Sequence, residues 1–330
     1  MADVALSLKL TEAVAAGNSP LIQKIFEALL NDDEASILLV AAPPATMKEL
    51  SRKTGFPEAM INATLESLFN RGLIFKTRKG EEVKYYRVRS IPQMHDSTVL
   101  TPGVSKEVLD LWKEYVEKEW PDYGRKIMDL LPGSIMRVIA VNESIEPQSR
   151  ILAYDDVIQL IENAGTLSVT KCSCRVIDGS CGKPLEVCIQ VDRAAEYSLE
   201  RGTGKAVSRS EAIEILKMCE KEGLVHTVEN RQALGHVICN CCRDCCMNWS
   251  VMTGPKKWVV PSRFTVVVDP DLCSGCGTCL ERCFFDALDV NNDLAAVNPE
   301  KCMGCGVCTV SCPTEALRLK EVRRADFVPV

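Results

Sequence analysis

A tandem repeat near the end of the sequence is the feature that most limits how this 330-residue chain can fold. The segment PDLCSGCGTCLERCFFDAL returns 29 residues later, without a gap, as PEKCMGCGVCTVSCPTEAL. Each copy has four cysteines with the spacing C-x2-C-x2-C-x3-C, from Cys273 to Cys283 and from Cys302 to Cys312. Both copies should therefore form the same tight loop, with eight thiols serving one purpose.

This spacing is typical of a cubane iron–sulfur cluster. Three thiolates in a tight loop take three corners of the cube, and the fourth cysteine, displaced by a short helical step, points to the other cluster. Zinc is the alternative, but zinc sites usually pair two C-x2-C units that lie far apart. Glycines let each loop curl around the inorganic core without a clash of Cβ atoms. They are Gly275, Gly277, Gly304 and Gly306.

The repeat resembles the bacterial-type ferredoxin domain with two 4Fe-4S clusters, over about residues 264–320. The resemblance implies that each cluster takes three cysteines from one copy and the fourth from the other. One set is Cys273, Cys276, Cys279 and Cys312, and the other is Cys302, Cys305, Cys308 and Cys283. The first copy has Phe284 where this family often has a proline, as in Pro313, which affects the cluster's surroundings rather than its ligands.

Ten further cysteines lie between residues 172 and 246. Cys219 shares a predicted helical face with Ala212 and Leu216, so we expect it to be a buried hydrophobic residue. The other nine form two groups: Cys172, Cys174, Cys181 and Cys188, then Cys239, Cys241, Cys242, Cys245 and Cys246. Neighbouring cysteines point in different directions, so a pair seldom binds one ion. Nine soft ligands suffice for two clusters, or for one cluster plus free thiols.

The motifs CSCR, CGKPLEVC and ICNCCRDCC resemble those of a group of iron–sulfur proteins from anaerobic bacteria. In that group they directly precede a two-cluster ferredoxin domain. The resemblance implies one or two additional 4Fe-4S clusters and leaves their ligands open. Zinc in a four-sulfur site is the rival, because these nine cysteines lack the ferredoxin spacing. Arg175 and Lys183 could lower the pKa of nearby thiols, whereas His226 and His236 are expected to make ordinary hydrogen bonds.

Residues 20–89 have the pattern of a winged helix-turn-helix, similar to those of small bacterial regulators. They predict three helices, with Leu21–Leu30 the first, and then two strands joined at KGEE. The last helix offers Asn62 and Thr64 to DNA but no lysine or arginine. Residues 76–89 carry six basic and two acidic residues, so they could contact a phosphate backbone or an acidic protein surface. We favour protein interaction or dimerisation, as a possible homo-oligomer, over DNA binding.

The sequence therefore predicts an α+β multidomain chain. A winged-helix-like domain occupies residues 1–90, a helical connector 91–150, a cysteine-rich iron–sulfur or zinc domain 151–260, and a ferredoxin-like dicluster domain 261–330. No apolar run reaches the roughly 18 residues of a membrane span, and the first residues do not resemble a signal peptide. We expect a cytoplasmic protein whose 18 cysteines bind metal rather than form disulfides.

The favoured function is transfer of single electrons through the two C-terminal clusters and a middle cluster, to or from a partner oxidoreductase. Between Arg263 and Leu317 there are eight acidic and three basic residues, which favours docking on a basic redox partner. One alternative is a reductase with a substrate-accessible middle cluster. Another is a redox-sensing winged-helix transcription regulator. The sequence assigns no catalytic residue, because phosphate-loop, dinucleotide and nucleophile motifs are absent from it.

Overall fold

The computed structural model describes residues 2–252 and 256–330, which belong to two compact units. One unit comprises Met1–Tyr123 with Val176–Asp178, and the other comprises Gly124–Arg175 with Gly179–Val330. The four domain boundaries stated above stay predictions. Among the described residues, no helix is both long and apolar enough to cross a membrane.

The first unit is built from helices and a β-hairpin. The helices are α1 (Val4–Ala13), α2 (Pro20–Leu29), α3 (Asp32–Val40), α4 (Met47–Thr54), α5 (Glu58–Asn70), α6 (Ile91–Val99) and α7 (Lys106–Lys118), and α8 (Trp120–Leu130) begins here. The hairpin pairs β1 (Ile74–Lys79) with β2 (Glu82–Arg87) in antiparallel register. Helices α4 and α5 and the hairpin agree with the predicted winged helix-turn-helix.

Helix α3 corrects the prediction of three helices between residues 20 and 89, since the structure has four there. Its buried residues, Ala35, Ile37 and Leu38, do not recur at the spacing of a single helical stripe, so periodicity did not reveal it. A cap did signal its start. The side chain of Asn31 accepts a hydrogen bond from the Glu34 amide, and Glu34 accepts one from the Asn31 amide.

In the second unit, seven strands of the described residues form one sheet in the order β6-β4-β5-β8-β7-β3-β9. They are β3 (Met136–Val138), β4 (Leu167–Lys171), β5 (Glu186–Val191), β6 (Gly204–Ala206), β7 (Val225–Glu229), β8 (Val237–Cys241) and β9 (Val259–Val260). The associated helices are α9 (Val157–Asn163), α10 (Ser173–Asp178), α11 (Arg193–Glu200) and α12 (Arg209–Lys221). Helices α9 and α12 bury Ile161 and Leu216 in a core that includes Ile189 of β5 and Ile238 of β8.

The same unit contains the tandem repeat. Its elements are β10 (Phe264–Val268), α13 (Thr278–Glu281), β11 (Leu288–Asn291), β12 (Leu294–Val297), α14 (Val307–Val310) and β13 (Leu317–Glu321). Strand β10 pairs with β13, and β11 with β12, both antiparallel. The buried Arg263 guanidinium bonds to the carboxylates of Asp155 and Glu321, which fixes the repeat to the preceding segment.

Candidate metal centres

The two copies of the repeat surround two similar cavities. The first is lined by Cys273, Cys276 and Cys279 of the first copy and by Cys312 of the second. The second is lined by Cys302, Cys305 and Cys308 of the second copy and by Cys283 of the first. These are the two sets that the sequence predicted as ligands, brought together by the predicted exchange of the fourth cysteine. Their ligation of metal stays a prediction.

Left-handed glycines shape both loops. Gly275, Gly277, Gly304 and Gly306 have φ values of +64°, +77°, +64° and +83°. Gly275 and Gly277 line the first cavity and Gly304 lines the second, while Gly306 caps the start of α14. At Gly304 a Cβ atom would overlap the carbonyl oxygen of Phe264. The loop can approach β10 this closely only with glycine at that position.

The two cavities differ in exposure. In the first set, Cys276 is exposed and hydrogen bonds to Thr278 lower the pKa of its thiol. In the second set, Cys302 and Cys308 are buried, and burial raises the pKa of the Cys305 thiol to about 12. The first cavity therefore lies toward solvent and the second toward the interior of the unit.

Six of the nine middle cysteines form a closed ring of thiol–thiol hydrogen bonds, which we call the thiol ring. Its members in order are Cys172, Cys174, Cys246, Cys241, Cys239 and Cys188, which returns to Cys172. Hydrogen bonds from Cys174 and Cys188 lower the pKa of the Cys172 thiol, and the pKa of Cys241 is lowered likewise by Cys239 and Cys246. The ring thus favours the thiolate, the form in which cysteine binds metal, at Cys172 and Cys241, whereas its hydrogen bonds raise the pKa of Cys188 and Cys246.

Strand register builds the thiol ring. Ile189 of β5 lies opposite Ile238 of β8, so the next pair along the ladder is Cys188 and Cys239. Because neighbouring residues of a strand point to opposite faces, both cysteines face away from the apolar core that holds the two isoleucines. Strand β4 is the other neighbour of β5 in the sheet. Cys172 directly follows β4 and therefore lies close to Cys188.

The remaining three middle cysteines form a separate group, which we call the three-thiol site. The Sγ atoms of Cys181, Cys242 and Cys245 all lie within 4.8 Å of one another. Burial raises the pKa of the Cys242 and Cys245 thiols. As expected for chain neighbours, Cys241 and Cys242 belong to different groups. Cys245 and Cys246 are divided in the same way.

Arg175 lies between the thiol ring and the three-thiol site. Its side chain is only 1% exposed, and it donates hydrogen bonds to the carbonyl oxygens of Pro184 and Asn240 and to the Cys242 thiol. Burial alone would lower the pKa of this guanidinium, but Cys172, Cys242 and Cys188 together raise it above its ordinary value. A buried cation needs an anionic partner, and the thiolate of Cys172, whose pKa is lowered, supplies one here. By contrast, Lys183 pairs with Glu222.

Aromatic contacts connect the second ferredoxin cavity with the middle cysteines. Phe285 lines that cavity, and its ring meets the Trp249 ring edge-on at 5.4 Å between centroids. The indole N–H of Trp249 donates to the carbonyl oxygen of Cys242 over 2.9 Å. Arg282, which also lines the cavity, donates to the Glu220 and Lys221 carbonyl oxygens at the end of α12, over 2.9 and 2.7 Å. No pattern in the sequence predicts these contacts.

Cys219, His226 and His236 have the structural roles that the sequence predicted. Cys219 is fully buried on α12. His226 is buried and hydrogen-bonds to Asn240 and Glu220, and the exposed His236 donates its backbone N–H to Glu229 over 3.2 Å.

Two family models match parts of the chain. The family described as a 4Fe-4S binding domain matches residues 266–289 and 295–318, and the family described as sugar-specific transcriptional regulator TrmB matches residues 26–92. No curated protein and no solved structure matches the chain. The thiol ring and the three-thiol site lie between the two matches. The chain therefore combines a winged-helix-like segment with a two-repeat ferredoxin domain, which supports two 4Fe-4S clusters and iron–sulfur electron transfer.

Proposed function

We propose that the protein transfers single electrons between a partner oxidoreductase and its own iron–sulfur centres. The observation that carries the proposal is the pair of similar cavities, each lined by four cysteines in the crossed arrangement. Four thiolates are the ligand set of a 4Fe-4S cluster, which supplies one-electron chemistry when bound. In this proposal Cys273, Cys276, Cys279 and Cys312 hold one cluster, and Cys302, Cys305, Cys308 and Cys283 hold the other.

The thiol ring is proposed to hold a further iron–sulfur cluster. Four thiolates suffice for a cubane, and the ring brings six thiols together. The contact from Phe285 through Trp249 reaches the backbone carbonyl of Cys242, which directly follows the ring member Cys241, and this supports electron exchange between the ring and the second cavity. The chain's residues contribute the spacing and the dry surroundings of these centres, and no proton-transfer residue is needed.

The first cavity is the proposed docking point for the redox partner. Cys276 is exposed, and acidic residues outnumber basic ones across the repeat. An acidic surface steers a protein toward basic partners. The partner is therefore expected to present lysine and arginine side chains around its own redox centre. A cytoplasmic location and the relation to iron–sulfur proteins of anaerobic bacteria stay predictions.

Anaerobic reductive titration of the full-length protein tests this function. With two ferredoxin clusters and one ring cluster, the chain should accept about three electrons. The variant Cys276→Ser should accept about one electron fewer, whereas Ser274→Ala in the same loop should titrate like the unaltered protein. Equal uptake by Cys276→Ser, or no uptake at all, would overturn the proposal.

A redox-responsive transcription regulator is the second candidate, favoured by the match of residues 26–92 to a regulator family. The exposed residues of α5 argue against DNA binding. Its exposed residues include Glu58 and Glu66 but no lysine or arginine among those described. In the hairpin, the Lys76 ammonium lies 3.6 Å from the centre of the Phe69 ring, and Lys84 pairs with Glu82. We therefore favour a protein ligand for this segment.

Gel-shift assays with the protein's own upstream DNA separate these functions. An electron-transfer protein should shift the fragment no better than unrelated DNA of equal length, whether anaerobic or exposed to air. A specific shift that appears in only one of the two states would establish the regulator instead.

A further inference from the structure

The three-thiol site is distinct from the thiol ring. Cys245 hydrogen-bonds to Cys181 and Cys242, whereas the hydrogen bonds of Cys246 lead to Cys174 and Cys241 in the ring. Cys181 comes from the loop after α10, and the other two come from the turn after β8. Two segments that are distant in sequence thus bring their cysteines together. A packed core of small residues would not need cysteine at all three positions.

The separation of the three sulfur atoms fits one ion better than a cluster. A tetrahedral zinc ion with Zn–S bonds of about 2.3 Å holds its sulfur ligands roughly 3.8 Å apart. The three Sγ atoms lie within 4.8 Å of one another, so a small adjustment brings them to that geometry. A cubane instead binds each thiolate through a different iron atom at a different corner. Its ligands therefore lie farther apart than those of a single ion.

The ligand set has three members. Within residues 2–252 and 256–330, no fourth histidine, cysteine or carboxylate joins the group at that spacing. The Ser180 hydroxyl lies 4.0 Å from the Cys245 Sγ. Ser180 and Gly182 are exposed on either side of Cys181, so solvent reaches this loop. Structural zinc sites have four protein ligands, whereas sites with three keep a position for water or substrate.

We propose that Cys181, Cys242 and Cys245 bind one zinc ion whose fourth coordination position takes an exchangeable ligand. Three thiolates and a divalent ion carry a net charge of −1, which the Arg175 guanidinium balances through its hydrogen bond to Cys242. The site is thus neutral overall. It suits a small neutral or soft donor, such as water or a low-molecular-weight thiol.

Metal analysis of the full-length protein, purified without oxygen and supplied with zinc, tests the site. The unaltered protein should retain about one zinc per chain after gel filtration. Cys181→Ala should bind zinc at least about tenfold more weakly while its iron content stays unchanged. Cys219→Ala, which removes a buried cysteine outside both groups, is the matched control and should keep both metals. Loss of iron from Cys181→Ala, or no zinc in the unaltered protein, would overturn the proposal.

Cobalt substitution tests the exchangeable position. The visible spectrum of the cobalt-loaded protein should change when 2-mercaptoethanol is added, and the change should be absent from Cys181→Ala. If the spectrum did not change when the thiol was added, the fourth coordination position would be closed. That result would refute the proposed exchangeable ligand. Electron transfer is tested by iron, sulfide and reductive titration, so either proposal can fail without the other.

Discussion

The ferredoxin repeat and the middle cysteines bring thiols together by different means. In the repeat, each loop supplies three cysteines from seven consecutive residues, and α13 or α14 leads to the fourth. In the middle segment, the thiol ring combines residues after the end of β4, within β5 and along β8, which are distant in sequence. The metal-binding loops of the repeat can therefore be predicted from their cysteine spacing. The thiol ring cannot, because its cysteines are brought together by strand register.

The two regions also differ in what forms their cores. In the repeat, Cys279, Cys302 and Cys308 are part of the buried cluster, beside Phe264 and Leu319. In the large sheet, one cluster of described residues contains aliphatic side chains and no cysteine, while buried middle cysteines form a separate cluster with Val187 and Leu224. Metal should therefore be required for the fold of the repeat but not for that of the sheet.

Removal of the metal is expected to have the largest effect. Anaerobic chelation should lower the free energy of opening of β10 and β13 by roughly 5 kcal/mol or more, because binding to the thiolates is coupled to folding. Strands β4 and β7 should keep most of their protection, since aliphatic packing holds them. Hydrogen exchange followed by mass spectrometry measures both regions together. Equal loss of protection in the repeat and in the large sheet, or loss in neither, would contradict the proposed difference between the two regions.

The next effect concerns the cation beside the middle thiols. Arg175→Met should lower the free energy of unfolding by about 3–5 kcal/mol, because it leaves buried anionic thiolates uncompensated. The control Lys183→Met removes a half-buried cation paired with Glu222 and should cost less than about 1 kcal/mol. Urea unfolding of both variants gives the comparison. Similar values would show that Arg175 does not balance thiolate charge.

Glycine substitutions examine the loops of the repeat. Gly304→Ala should cost about 3 kcal/mol and release iron, because its Cβ atom overlaps the backbone of Phe264 at a left-handed position. Gly277→Ala has the same handedness but meets nothing within 4 Å, so about 1 kcal/mol is expected. Iron retention and unfolding by urea should rank the two variants in this order. The reverse order would mean that the close approach to β10 is unimportant.

The smallest effect is expected where the two regions meet at the surface. Arg243 contacts both carboxylate oxygens of Asp286 at 3.2 and 3.1 Å, but the side chains are 54% and 67% exposed. A double-mutant cycle with Arg243→Ala and Asp286→Ala should give a coupling free energy below about 1 kcal/mol, weaker still in salt. A coupling above about 2 kcal/mol would show that this pair fixes the junction.

Local patterns allowed much of this architecture to be predicted. The spacing and the resemblance to a ferredoxin domain predicted the two sets of four cysteines that line the two cavities, and their binding of metal stays a prediction. The expectation that neighbouring cysteines point in different directions agrees with the partners of Cys241 in the thiol ring and of Cys242 in the three-thiol site. The division into six and three could not be predicted, since it depends on Ile189 lying opposite Ile238. The contact of Trp249 with Phe285 likewise arises from tertiary packing.

The count of iron and acid-labile sulfide per chain tests the central claim most directly. Full-length protein purified without oxygen should contain about twelve of each, eight in the ferredoxin repeat and four in the thiol ring. A count of about eight would show that the thiol ring holds no cluster. Protein that carries zinc in all its thiol sites, with neither iron nor sulfide, would contradict the account.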